Sequence, residues 1–367
     1  MDGPLTGHRV LDLSQAIAGP LVGRILADLG ADVVKVEWPN GDVTNRFGPT
    51  TAGLTGVFTH MNAGKRGIGV DLKSPAGVAL LRRLAERADV VVENFRPGIL
   101  DRAGLGYADL AATNPGLVMA SVSGFGRTSP ESGRAAYAPV IHAESGLLAR
   151  QATADGRAVT DYTVSFADEV AALHTSVAVL AALTMRARTG TGQHIDMSML
   201  EALVATDDHI SDAIDGIAEP SDSRGYAYDA TDGPILVASQ PRHLWRVLSR
   251  AHGLDDGTTP DADIPTKAAA RQEAIATWMR SFRDRRDLLA ALDAANIAWA
   301  DVRDATTLLA SPSLRAGHVV ERVDDHAGGH RGVIRMPYRF SAATSGVRGP
   351  APRRGEHDAD VLSDWLG

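Results

Sequence analysis

The chain has 367 residues, 37 basic and 45 acidic, for a formal charge of −8. That balance excludes a nucleic-acid binder held by bulk charge but leaves room for a local basic pocket that takes phosphates. There is no cysteine, so disulfides, thiolate metal sites and cysteine nucleophiles are excluded. A hydrophobic share of 44% suffices for a large core, and a chain this long is expected to divide into more than one domain. The opening run M-D-G-P-L-T-G-H-R lacks a basic segment followed by an apolar one, so no signal peptide is read. The most apolar stretch, 170–183, is interrupted by His174, Thr175 and Ser176 and is shorter than a membrane span requires. A soluble, cytoplasmic protein with neither membrane nor nucleic-acid partner is expected.

In chain order, residues 9–13 (R-V-L-D-L) read as a buried strand, 14–20 as a tight loop, 21–29 as a helix closed by 30–32, and 33–37 (V-V-K-V-E) as a second strand. Together they make a βαβ unit with parallel pairing and a right-handed crossover. The turn reads A-I-A-G-P rather than G-x-G-x-x-G, and Pro20 takes a first-turn position. A nicotinamide site is therefore not expected, and Glu37 reads as a strand-end acid with a local partner. A glycine- and base-rich turn at 62–67 precedes a strand at 68–72. Ser74 then caps a helix that begins at Pro75 and runs through Leu84.

Strands follow at 89–93 and 117–122. In an open parallel sheet the loops after the strand C-ends form the ligand crevice, so 15–20, 93–98 and 123–127 are expected to share one rim. Lys65, Arg66, Arg96, Arg102, Arg127 and Arg134 sit in or near these loops. Any one of them alone reads as a solvated surface base. Several on one rim point to an anionic, phosphate-bearing ligand.

Residues 166–185 are apolar nearly all round, which predicts a buried helix. Arg186 and Arg188 suit its last turn, Gly190 and Gly192 its end, and residues 195–199 alternate like a short strand. Asp168 and Glu169 stand out at its start. Ser165-x-x-Asp168 fits a capping pattern, and acids in a first turn complement the helix dipole. The same position would also suit a nucleophile, ionised by oriented N–H groups and shielded from water by apolar walls. The pattern leaves both readings open.

From about residue 207 the composition changes. Residues 221–225 are linker-like, 225–238 read as two short strands around an Asp232-Gly233 turn, and helices follow at 243–252, 266–282 and 286–294. This is a smaller α+β module. Beyond Leu308 the chain is rich in Gly, Pro and Arg, has an extended segment at 337–341, and closes with a helix at 358–366.

The order V-L-D-L-S…A-G-P…L-A-D-L-G-A-D-V-V-K-V-E, N-x-G-K-R, D-V-V-V-E-N-F-R-P-G and N-P-G-L-V-M-A-S-V-S-G-F-G-R-T resembles the family III CoA-transferases, the CaiB/BaiF group. The middle run S-F-A-D…R-T-G-T-G-Q-H-I-D-M-S-M-L-E-A and the final Gly355-Glu356-His357 fit as well. The similarity is dense from Val10 to Ala202 and thins beyond.

The resemblance implies an α/β fold: a large Rossmann-like CoA-binding domain at 1–206, a linker at 207–222, a small α+β domain at 223–308, and a return to the large domain over 309–367. It also implies an interlocked homodimer. By position Asp168 would be the nucleophile, passing through acyl-aspartyl anhydride and aspartyl-CoA thioester intermediates between an acyl-CoA donor and a carboxylic acid acceptor. A CoA thioester would be a substrate, with no permanently bound cofactor and no metal.

CoA contacts would fall on Ala16, Ala18, Leu72, Asn94, Phe95, Arg102 and Arg134, with Lys65 and Arg66 as further candidates. Ile17 stands where relatives carry a glutamine. Trp38 stands where an arginine often meets the nucleotide, and would stack on adenine. Two rival functions follow from the same resemblance. An α-methylacyl-CoA racemase would use a His-Asp pair where this chain has Tyr137 and Ala138, with His142 nearby but displaced. A non-catalytic CoA-binding subunit would have no need of Asp168.

Overall fold

The computed structural model describes residues 2–210, 214–216 and 225–367. Residues 221–224 of the linker-like run at 221–225, and part of the 207–222 linker, lie outside the described residues. Two compact units are formed, Met1–Asp208 with His318–Gly367, and His209–Gly317.

In the first unit the chain runs β1 (Arg9–Asp12), α1 (Ala18–Asp28), β2 (Asp32–Glu37), a small hairpin of β3 (Thr50–Thr51) and β4 (Leu54–Thr55), α2 (Gly56–Asn62), β5 (Arg66–Gly69) and α3 (Pro75–Ala85). It continues through β6 (Val90–Glu93), α4 (Ile99–Arg102), α5 (Tyr107–Ala111), β7 (Val118–Ser123), α6 (Ala138–Glu144), α7 (Leu147–Asp155), α8 (Phe166–Thr189), β8 (His194–Ser198) and α9 (Met199–Thr206). Six strands form one parallel sheet in the order β5-β2-β1-β6-β7-β8. β5 begins two residues earlier than the 68–72 expected, because Arg66 to Gly69 pair in register with Val34 to Glu37. Ser74 caps α3 as expected, accepting from Gly77 N–H at 3.0 Å.

The period-2 alternation of each strand divides the core into two layers. Val10, Val33, Val90, Val92, Val118 and Ala120 face α1 and α8. Leu11, Val34, Ile68, Val91 and Met119 face α3 and the closing helix Asp358–Leu366, which adds Val361 and Trp365. Both faces of the sheet are covered, which is why its strands read as near-continuous apolar runs.

The C-terminal segment returns onto this unit. Arg24, fully buried in α1, pairs with Asp28 at 2.7 Å and donates to Ile334 O, while Asp28 accepts from Met336 N–H. His357 closes the edge of β5: its Nδ1 accepts from Gly67 N–H at 3.1 Å and its own N–H donates to Gly67 O at 2.9 Å. An unpaired strand edge is thereby covered. An antiparallel hairpin, Val320–Asp324 with His330–Ile334, was not expected from the sequence.

α8 differs from expectation in three ways. It has 24 residues and is long and apolar enough to cross a bilayer, because the helix extends well past both ends of the 170–183 stretch. Ten of those residues are buried. The opposite face is open in the single chain, with Leu173 51% and Val177 66% exposed, so the helix is not buried all round. Finally, Ser165 makes no side-chain cap bond.

The second unit holds a three-stranded antiparallel sheet with Ile235–Val237 between Tyr226–Tyr228 and Trp299–Asp301. The helices Pro241–His252, Ile264–Ser281 and Arg285–Ala294 bury Leu244, Leu248, Ile275, Met279, Leu288 and Leu292 against it.

Candidate active site

The strand order reverses between β1 and β6, so their following loops diverge and leave a crevice. Asn94 ties the two loops together: its Oδ1 accepts from Gln15 N–H at 2.8 Å and its Nδ2 donates to Gln15 O at 2.6 Å. Ala16 sits at φ 65°, a left-handed conformation that a residue with a Cβ adopts at a cost. Its N–H donates to Asp42 Oδ1 at 3.3 Å.

Beneath this loop lie four buried charges. Lys35 donates to Ser14 O and pairs with Asp42, while Lys65 pairs with Asp12 at 2.7 Å and donates to Pro20 O and Asn62 Oδ1, both at 2.8 Å. Burial pulls Lys65 down to about 8 against the attraction of Asp12. Burial alone would raise Asp12, but Lys65 and Lys35 outweigh it and hold the carboxyl below its ordinary value. Gly23 lets α1 close over the pair, since a Cβ there would meet Asp12 Oδ2 at 2.5 Å.

Asp168 stands in the first turn of α8, 7% exposed. Ala18, the first residue of α1, donates its N–H to Oδ1 at 3.3 Å, and Ala138, the first residue of α6, also donates to the carboxylate. Burial pushes the carboxyl up to about 6, against the lowering effect of those N–H groups. Oriented donors therefore compensate only part of the desolvation, and the group is still mostly ionised at neutral pH. In place of the expected Ser165 cap, Ala167 N–H donates to Nε2 of His142 at 3.1 Å.

Asp168 lines a cavity of about 150 Å³ with residues from every loop of the predicted rim. Of the expected site residues, Ala16, Ala18, Asn94, Phe95, Arg134 and Asp168 meet there. Arg134 is paired with Glu131 and Glu144 and lies over the Phe125 ring. Trp38 and Leu72 are outside the lining, packed in the same cluster as Phe95, with Trp38 and Phe95 ring centres 5.6 Å apart.

Three further expected contacts are also not brought to this cavity. Lys65 is enclosed in the network under α1, with its ammonium already holding three acceptors. Arg66 stands at the amino end of β5, opposite the crevice, with Asp32 and Asp364. Arg102, on α4, lies against Gly98 rather than in the lining. Sequence reasoning missed the donor at Ala138 and the cap from His142. Pro139 in a first-turn position was the signal that a helix starts there. Arg96 also lines the cavity, and its guanidinium has no ion-pair partner among the described residues.

The chain matches CoA-transferase family III over residues 5–358. It is 33% identical to succinate–glutarate CoA-transferase of Agrobacterium fabrum, covering 98% of this chain and 95% of that protein. It is 31% identical to succinyl-CoA–D-citramalate CoA-transferase of Chloroflexus aurantiacus, covering 99% and 94%. The crystal structure of a CaiB/BaiF family protein from Brucella suis superposes over all of both chains with a TM-score of 0.85 at 31% identity. With the parallel sheet and its crevice, these likenesses make the chain a member of CoA-transferase family III.

Proposed function

We propose that this CoA-transferase moves CoA from an acyl-CoA to a free carboxylic acid, with Asp168 as the covalent nucleophile. The observation that carries the reading is a carboxylate, mostly ionised and nearly buried, that faces a cavity and receives two backbone N–H groups.

An Asp168 oxygen attacks the thioester carbonyl, the C–S bond breaks, and CoA leaves as thiolate with an acyl-aspartyl anhydride behind it. The thiolate attacks the aspartyl carbonyl, releasing the donor carboxylate and leaving an aspartyl-CoA thioester. The acceptor carboxylate attacks that thioester, forming a second anhydride and freeing thiolate. The thiolate then takes the acceptor acyl group and restores Asp168. The net reaction exchanges one thioester for another of similar energy, and the covalent intermediates divide a hard reaction into easier steps. The N–H groups of Ala18 and Ala138 would stabilise the oxyanion at the two additions to the aspartyl carbonyl, and a closed cavity would keep water from the anhydrides.

Arg96, which lines the cavity and has no ion-pair partner among the described residues, supports a substrate with a second anionic group, and the names of the two relatives make short dicarboxylic acids the first to try. The open apolar face of α8 supports a second copy of the chain as its cover, in the interlocked homodimer that the family resemblance implies. The racemase reading lacks its base: Tyr137 holds the place, and His142 has both ring nitrogens engaged. A screen of succinyl-CoA against dicarboxylic acids, with product thioesters followed by mass spectrometry, tests the proposal. Transfer that Asp168→Ala abolishes is expected; equal transfer by that variant would refute it.

A further inference from the structure

α8 lacks the side-chain cap that its own sequence offers, and the acceptor comes instead from a different helix. His142, on α6, is fully buried. Its Nε2 lies 3.1 Å from Ala167 N and its Nδ1 lies 2.8 Å from Asp161 Oδ1. A backbone N–H can only donate, so Nε2 must present its lone pair; the ring proton then sits on Nδ1 and is donated to Asp161. Tyr162 packs edge-on against the ring, 5.6 Å between centres, and limits its rotation. Ala167 immediately precedes Asp168, so the bond to His142 sets the backbone from which the carboxylate projects.

We propose that His142 and Asp161 are positioning residues for Asp168, with Asp161 selecting the tautomer in which His142 closes the first turn of α8. The inference rests on the reading of Asp168 as nucleophile. Its consequence is geometric: without the acceptor, Ala167 N–H is left buried and unpaired, and the turn shifts to satisfy it. A displacement of about 1 Å at a reacting atom costs on the order of a hundredfold in rate, so the loss falls on kcat rather than on thioester binding.

Two substitutions separate this role from simple packing. His142→Gln places an amide oxygen where Nε2 was and can still accept from Ala167. His142→Asn can still reach Asp161 but falls short of Ala167. We expect Gln to keep most of the wild-type kcat, Asn to lose about tenfold or more with KM nearly unchanged, and Asp161→Ala to fall between them. Equal kcat in the Gln and Asn variants would overturn the proposal. Should the Asn variant fail to fold, 15N NMR of the wild-type imidazole is decisive. A proton on Nδ1 with an unprotonated Nε2 is expected, and a proton on Nε2 overturns the assignment. Transfer that survives in Asp168→Asn would instead refute the nucleophile reading, leaving the tautomer result intact.

Discussion

At the residue scale, the chemistry turns on a balance at Asp168 between desolvation, which favours the neutral acid, and two backbone donors, which favour the anion. With desolvation ahead and the carboxyl raised to about 6, kcat/KM should fall as pH drops through that value and level off above it. A pH-rate profile with no acid limb between 5 and 7 would contradict this. The same shift has a cost in stability. A carboxyl raised in the folded state favours folding below its unfolded value of 3.8 and loses that advantage as pH rises through about 6. Replacing the charge by an amide should therefore stabilise the protein at pH 8 by roughly 1–3 kcal/mol and leave it nearly unchanged at pH 4. Thermal melts of Asp168→Asn at both pH values check this.

At the element scale, the site depends on how firmly the loop between β1 and α1 is held. Lys65 belongs to that support, so Lys65→Met should lower stability by about 3–5 kcal/mol through the stranded Asp12 carboxylate. Urea unfolding measures the loss; a folded variant of normal stability that binds CoA weakly would return Lys65 to the ligand.

The loop positions themselves were legible in the sequence. Short apolar runs at 9–13, 33–37, 89–93 and 117–122, separated by loops and a helix in βαβ order, read as buried parallel strands, and their C-terminal loops meet in the crevice. Partner choice across the chain was not legible. Ser165 matches a capping pattern, yet His142, distant in sequence, takes the role; Lys65 and Arg66 are adjacent, yet one turns under α1 and the other to the opposite end of the sheet. The hairpin Val320–Asp324 with His330–Ile334 escaped notice because Val323 and Val333 are its only buried side chains. One buried position on each strand leaves no periodicity to read.

At the scale of the whole molecule, the open stripe of Phe166, Leu173 and Val177 on α8 lies on the helix that carries Asp168. If a second copy covers it, wild-type protein should sediment as a dimer, and Val177→Lys should raise the dissociation constant by tenfold or more through the cost of burying a charge. A fully active wild-type monomer would contradict the assembly. The central claim, that Asp168 becomes acylated during turnover, is tested most directly by peptide mass mapping of enzyme quenched with hydroxylamine in the presence of acyl-CoA. The expected result is a hydroxamate on the peptide containing Asp168, absent without acyl-CoA; a peptide that stays unmodified while transfer proceeds would contradict the account.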